Sequence, residues 1–326
     1  MTHSDTGPDQ RVGSPHELFQ PTRFVGSHPD DPVSDSPRAP RQFWQPTTLV
    51  AIPAFGSPEL TDAVLADLDR DGSLDDPRVR VVVVDNGGDY RVPGAYDTAA
   101  AAGSLPVSVH RPGRNLRWIG SANWALHTGV QDGLDLCVVL NNDTRLSPDF
   151  LQGLVSPFGA PGAGDDDVAI VAACYDDFWL HQRATVIPPA AADYEPRDTV
   201  REVSFCDGTA IAFAARRVVD LGGLDEVAFP RHGYGSDIDL ALRVRAAGLR
   251  CIVTEGAYVS HLRRATMERT GQSSELNRAE ILGGLDAKWP QGWRARAGLG
   301  PGSFPAHNTG SAATWYLDPV ASTTTS

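Results

Sequence analysis

Short unbroken apolar runs alternate along this chain with stretches whose apolar residues recur every three or four positions. The runs at 48–53, 81–84, 107–110, 136–140, 168–171 and 209–213 predict buried strands. Between the first two, Ser57 as N-cap and Pro58 at the first helical position open a helix. Leu60, Val64 and Leu68 give that helix an inward face. Further helices are predicted around 123–128, after the Ser147-Pro148 pair, just past 213, over 237–247 up to Gly248, and near 275–286. Two more strand-like pieces lie at 251–253 and 258–261. From 175 to 203 the periodicity lapses around Pro188 and Pro189, the mark of a functional loop or lid. Strands alternating with helices specify a layered α/β fold with a largely parallel sheet.

The ends read differently. Residues 1–46 are rich in Pro, Ser, Asp and Gly and predict a disordered or loosely packed tail, although Phe19, Phe24, Phe43 and Trp44 offer it packing contacts. Residues 47–265 hold the patterned domain, and 266–326 read as a helical extension with a flexible tail. The chain carries 41 acidic against 28 basic residues, a net charge of −13, which excludes a nucleic acid as the main ligand. Lys288 is the only lysine; every other basic residue is arginine. The four cysteines, Cys137, Cys174, Cys206 and Cys251, form no C-x-x-C pair, so buried reduced thiols in a reducing cytosol are expected. No apolar run approaches the roughly 18 residues of a membrane span, and the N-terminus lacks a signal-peptide core. A cytoplasmic location without a transmembrane segment is the expectation.

Chemistry concentrates at strand ends, where open α/β sheets bind ligands. Asp85 and Asp143 each follow a valine-rich run directly. Both also suit a plain turn, but two such residues at two buried strand ends favour a site. Asp143 stands beside the amides of Asn141 and Asn142, an oxygen set suited to Mg²⁺ or Mn²⁺ on a diphosphate. His261 ends its own strand-like run and could add a nitrogen ligand, which Mn²⁺ accepts more readily. Asp237 sits at a predicted helix start, where the helix dipole favours the carboxylate and an unprotonated base at neutral pH. Asp239, two residues on, points elsewhere and suits the fixing of the helix entry or a neighbouring loop.

Taken in order, these segments resemble family 2 glycosyltransferases. The likeness rests on VAIP at 50–53, VVDNGG at 83–88, Arg114-Asn115-Leu116 with Asn123, LNNDT at 140–144 and PDFL at 148–151. It continues through DGT at 207–209, GGLDE at 222–226, GSDIDL at 235–240, Arg243, Gly248 and His261. The subgroup it looks like is the rhamnosyl- and galactofuranosyltransferase-like one. The resemblance implies a GT-A fold, a Rossmann-like mixed sheet flanked by helices in a single main domain. It also implies a nucleotide-sugar donor, Mn²⁺ or Mg²⁺, and inversion at the anomeric carbon. Carried onto this chain, Ala51 and Pro53 would line the nucleoside pocket. Asp85 would bind base or ribose, with Arg114, Asn115 and Asn123 nearby. Asn142 would contact sugar or ribose, Asp143 and His261 would hold the metal, and Asp237 would be the catalytic base. Asp85 suits a pyrimidine edge, favouring a UDP- or dTDP-sugar.

Three positions depart from the family pattern. The usual D-x-D is reduced to the single carboxylate Asp143, Ser236 replaces an acid before the base, and Arg117 replaces a glycine ahead of Trp118. Arg117 suits either selection of an anionic sugar or a solvent-facing position. The lost acids keep open a degenerate GT-A fold that binds a nucleotide-sugar or a partner. A nucleotidyltransferase would need a basic, glycine-rich loop after the first strand, which residues 54–57 (AFGS) do not supply. Trp179, His181, Trp289 and Trp293 could stack on an acceptor or pack in the core. The acceptor itself (glycan, lipid carrier or small metabolite) is not written in the sequence.

Overall fold

The computed structural model describes residues 45–97, 107–159, 167–176, 179, 181–262, 274–289 and 292–299. The tail expected over 1–46 and the far C-terminal tail therefore lie almost wholly outside the described residues. Nine strands form one mixed sheet: β1 (Thr48–Ala54), β2 (Val79–Asp85), β3 (Val107–His110), β4 (Leu136–Leu140), β5 (Thr144–Leu146), β6 (Val168–Tyr175), β7 (Val200–Glu202), β8 (Ala210–Ala214) and β9 (Arg250–His261). Their spatial order is β3-β2-β1-β4-β8-β6-β9-β5, with β7 also paired to β9. The flanking helices are α1 (Pro58–Arg70), α2 (Gly94–Asp97), α3 (Arg117–Gln131), α4 (Phe150–Val155), α5 (Ala215–Asp220), α6 (Ser236–Ala246), α7 (Ser274–Lys288) and α8 (Trp293–Arg296). One apolar cluster lies on each face of the sheet, so strands such as β4 are buried throughout.

The expected largely parallel sheet is parallel only in part. Strands β1 to β4 run parallel, but β8 enters antiparallel between β4 and β6. The reason is the connection: residues 176–209 hold no crossover α-helix among those described, and a return without one reverses the strand. The two pieces expected at 251–253 and 258–261 are one strand, β9. Its register against β6 jumps from Ala173↔Thr254 to Cys174↔Tyr258, a bulge that breaks the apolar pattern. The bulge carries Gly256 against Gly153, where an added Cβ would stand 1.8 Å from the Gly256 carbonyl oxygen.

Helix α4 also begins later than the Ser147-Pro148 pair predicts. Ser147 instead extends strand pairing, its amide donating to the Tyr258 carbonyl and its hydroxyl accepting from the Tyr258 amide. The first α4 amides, Phe150 and Leu151, donate to the Asp71 carboxylate at 2.9 and 3.1 Å. A residue at the end of α1 thus caps a helix almost 80 positions away, which no local pattern encodes.

All four cysteines are free and buried, as expected, and burial pushes the Cys137, Cys174 and Cys251 thiols up to about 12. No helix among the described residues is long and apolar enough to cross a membrane. The described part of segment 175–203, expected as a loop or lid, is pinned. Tyr194 stacks on Tyr258 at 4.7 Å, and the Glu255 carboxylate takes Thr185 and Arg201.

The buried carboxylate of Asp67 ties α1 to β5 beside the site. It accepts both Arg145 Nε and a second guanidinium nitrogen at 2.7 Å, and the Leu146 amide at 3.0 Å. Burial opposes its ionisation, but these donors together with Arg70 outweigh burial and hold the carboxyl below its ordinary value. Stability from Asp67 is therefore present above pH 4 and lost as pH falls through the depressed value. Asp67→Ala strands the Leu146 amide and should cost about 2–3 kcal/mol. A urea midpoint at pH 7 measures this; an unchanged midpoint contradicts it.

Candidate active site

Register brings the first two residues together. Pairing of β5 with β9 sets Thr144 opposite His261, and the Leu262 amide donates to the Asp143 carbonyl at 2.9 Å. His261 Nε2 consequently lies 3.3 Å from Asp143 Oδ1, with both side chains largely buried. Asp176 steadies this strand end by accepting from the His261 amide and the Ser260 hydroxyl. One carboxylate and one imidazole suit a divalent cation such as Mn²⁺. Among the described residues no cluster of three or more potential protein ligands forms, so the pair fits a cation that completes its shell with phosphate oxygens or water. Asn142, nearly buried beside Asp143, donates to the Thr61 hydroxyl of α1 at 3.2 Å.

Asp237 occupies the first turn of α6, as the sequence predicts, behind Gly235 in the left-handed region at φ 90°. Its ionisation differs from the expectation. Burial and the neighbouring Asp207 charge push the carboxyl up to about 7, against the pull of the Ile238, Asp237 and Gly208 amides. The helix end alone does not outweigh desolvation beside a like charge. Asp207 is held there by two groups: its amide donates to Gln182 Oε1 at 2.7 Å, and its carboxylate takes the Thr209 amide and hydroxyl. Gln182 is a fixed strut from the 175–203 segment, only 1% exposed. Gly208 has no space for a side chain, since a Cβ would stand 2.5 Å from the Trp118 ring.

Ser236, where the family pattern has an acid, turns inward and donates to the Gly233 carbonyl at 2.6 Å. Asp239 is fully buried and accepts from Arg243 at 2.9 and 3.0 Å, Lys288 at 2.8 Å and Trp289 Nε1 at 2.9 Å. It fixes neighbouring segments, as anticipated.

The remaining residues from the sequence lie on the β1–β2–α3 side. Asp85 Oδ1 and Oδ2 accept the Gly88 and Tyr90 amides at 2.7 and 3.0 Å, and Arg111 Nε lies 3.3 Å from Oδ2. Asp85 thereby shapes its own loop. Asn86, to which no role was given, pins α3 by accepting the Leu116 amide and donating to Ser121. Ala51 is fully buried mid-strand and offers a ligand no surface; Pro53, nearer the strand end, is partly exposed. Arg114 and Asn115 are exposed, and Asn115 accepts the Arg117 amide. Asn123 is engaged by the 224–226 turn: its side-chain amide donates to the Leu224 carbonyl and Glu226 and accepts the Leu224 amide. Arg117 is exposed and bonds the Pro230 carbonyl, the solvent-facing alternative. Trp293 is core, and Trp179 packs edge-on against Phe205.

The residue pattern of the family described as Glycosyl transferase family 2 matches this chain over residues 49–219. The chain belongs to that family. This glycosyltransferase is 34% identical over 222 residues to the uncharacterized protein Mb1552 of Mycobacterium bovis, covering 67% of this chain and 75% of that one. The uncharacterized protein Rv1525 of Mycobacterium tuberculosis matches to the same extent. Among solved structures, the mannosyltransferase PcManGT of Pyrobaculum calidifontis with GDP-Man and Mn²⁺ superposes with a TM-score of 0.51 at 18% identity, covering 78% of this chain and 70% of that one. GalNAc-T7 with UDP, GalNAc and Mn²⁺ gives 0.47 at 14%, covering 66% of this chain and 44% of that one. The fold is thus the GT-A fold of glycosyltransferases, with the mixed sheet and flanking helices the resemblance implied.

The raised Asp237 value has a consequence independent of turnover. A carboxyl with a folded value near 7 binds its proton more tightly when folded, so its contribution falls as pH rises from about 4 to 7 and is flat above. Asp237→Asn should melt above the wild type at pH 8, with the gap narrowing towards pH 4. Equal melting temperatures at pH 8 would refute the raised value.

Proposed function

We propose that this glycosyltransferase is inverting and metal-dependent, moving a sugar from a nucleoside diphosphate donor to an acceptor hydroxyl with Asp237 as general base. The observation that carries the reading is the meeting of Asp143 and His261, 3.3 Å apart at a strand end, in a chain that also sets the Asp237 carboxyl beside the Asp207 charge at the start of α6. General-base efficiency is greatest when the group titrates near working pH. The acceptor oxygen hands its proton to Asp237 and bonds to the anomeric carbon as the bond from that carbon to the diphosphate oxygen breaks. Asp143 and His261 would hold the cation, which when bound supplies Lewis-acid stabilisation of charge on the leaving diphosphate. Mn²⁺ in PcManGT supports a divalent metal here.

On the donor side, Asp85 and its loop, with Pro53, Arg114 and Asn115, form the wall we assign to the nucleoside. Asn142 is assigned to the sugar or ribose. Ala51 and Asn123 act behind that wall, as backbone and as a brace. We place the enzyme with the rhamnosyl- and galactofuranosyltransferase-like members on the order of its motifs. UDP- or dTDP-sugars are the first donors to test. The proposed cytoplasmic location rests on four buried free thiols. Residues 47–265 are taken as the catalytic domain, with 266–326 as its extension.

Calorimetry with UDP, dTDP, GDP and ATP, with Mn²⁺ and again with EDTA, tests the reading. We expect one nucleoside diphosphate to bind only with metal, and Asp237→Asn to bind it equally while transfer falls roughly 10²–10⁴-fold. Wild-type turnover should rise with pH through about 7, as the base loses its proton. Preference for the triphosphate would indicate a nucleotidyltransferase. Silence from a folded sample would indicate a degenerate fold. Transfer that survives Asp237→Asn would remove the mechanism.

A further inference from the structure

Between Pro230 and Asp237 the chain forms an arch whose backbone is held by a side chain from the C-terminal extension. Glu280 of α7, 7% exposed, accepts the amides of three consecutive residues. Its Oε1 takes Arg231 at 2.7 Å, His232 at 3.0 Å and Gly233 at 3.2 Å, and Oε2 takes His232 again at 3.0 Å. Successive amides turned to one point form an anion-binding concavity, here filled by the protein's own carboxylate. Two glycines fix the rest of the arch. Gly233 and Gly235 sit at φ 88° and 90°. A Cβ at Gly233 would stand 2.7 Å from Ile119 of α3, and one at Gly235 would stand 3.2 Å from the Ile281 backbone of α7. Packing on both sides and the Ser236 bond to Gly233 leave the arch little freedom.

Tyr234 is the residue this arch displays. It is 36% exposed, while Gly233, Gly235 and Ser236 around it are buried. Burial of the phenol comes first, and the charges of Asp207, Glu280, Asp143 and Asp237 add to it, pushing the hydroxyl up to about 12. The phenol therefore stays neutral within the electrostatic reach of both the proposed base and the proposed metal carboxylate. Tyr234 thus has its phenol largely covered, with the His232 ring 6.2 Å away, while the rest of the side chain faces out from a constrained backbone. Rigid aromatics supply contact area at small conformational-entropy cost. An acceptor hydroxyl must come within hydrogen-bond reach of Asp237, three residues further on. Sugar rings present a C–H face that suits a flat ring, and the surrounding carboxylates disfavour an anionic one.

We propose that Tyr234 is a specificity-determining contact for the acceptor, receiving the apolar face of a neutral sugar ring, and that Glu280 is the positioning residue that holds it there. This rests on the transferase reading with Asp237 as base. It also makes the C-terminal extension a working part of the site, since Glu280 lies within residues 266–326 taken as that extension.

The test uses the full chain with Mn²⁺ and the sugar nucleotide of whichever base calorimetry selects. The acceptor probe is a panel of neutral octyl glycosides, with release of sugar to water measured alongside. Tyr234→Ala should lower the ratio of transfer to hydrolysis, chiefly through a higher glycoside KM, by about tenfold or more, the scale of one good contact. Tyr234→Phe should keep most of that ratio. Glu280→Ala should reproduce the Tyr234→Ala ratio and speed hydrogen exchange at 231–233, and Glu280→Gln, which keeps an acceptor oxygen, should recover both. The proposal is overturned by an unchanged ratio in Tyr234→Ala, by a rise in donor KM instead, or by hydrolysis with no transfer to any neutral glycoside. If Glu280→Ala lowers the melting temperature but leaves the ratio and the exchange alone, its positioning role fails. Absence of both donor binding and hydrolysis in the wild type counts against the transferase reading itself.

Discussion

One buried carboxylate, Asp239, organises the half of the molecule that carries the proposed base. A carboxylate with no exposure survives only when paired and hydrogen-bonded. Here Arg243, Lys288 and Trp289 meet that requirement together. Each partner also reaches a second segment. Arg243 donates to the Leu221 and Gly223 carbonyls, and Lys288 to Asp225. Asn123 of α3 closes on the same loop at Leu224 and Glu226. The start of α6, the 222–226 turn, α3 and the C-terminal helix are thereby fixed relative to one another. The only lysine in the chain is spent on this junction.

On that frame, two carboxylates are set in different surroundings. Asp143 stands 3.3 Å from His261, which offers a second ligand. Asp237 is partly buried near the Asp207 charge, and both favour its neutral form. In the proposed mechanism the two divide their roles, Asp143 holding the metal and Asp237 accepting the proton. The Asn residues at 141 and 142 and the serine at 236 do not undo this. Asn142 and Ser236 have become braces, to Thr61 and Gly233.

What was legible in the sequence was local. Strand runs, the α6 start and the residues at strand ends stand where pattern places them, since each depends on neighbours within a few positions. What was hidden was long-range. The cap of α4 comes from Asp71, the direction of β8 from a connection without a crossover helix, and the bulge in β9 from its contact with Gly153. Asp207 stood in a quoted motif, but its effect on Asp237 needs their proximity. Glu280 is one acid on an amphipathic helix, and nothing near it in the chain announces three amides some 48 positions earlier. The helix dipole argument for Asp237 failed for the same reason: it weighs one helix end and not the burial around it.

The most direct measurement of the central claim is the anomeric configuration of the first-formed product, followed by proton NMR before mutarotation. A single displacement, with an acceptor oxygen deprotonated by Asp237, predicts the configuration opposite to that of the donor sugar. Retention would contradict it, requiring a second displacement or a front-face path in which Asp237 is not the base for direct attack.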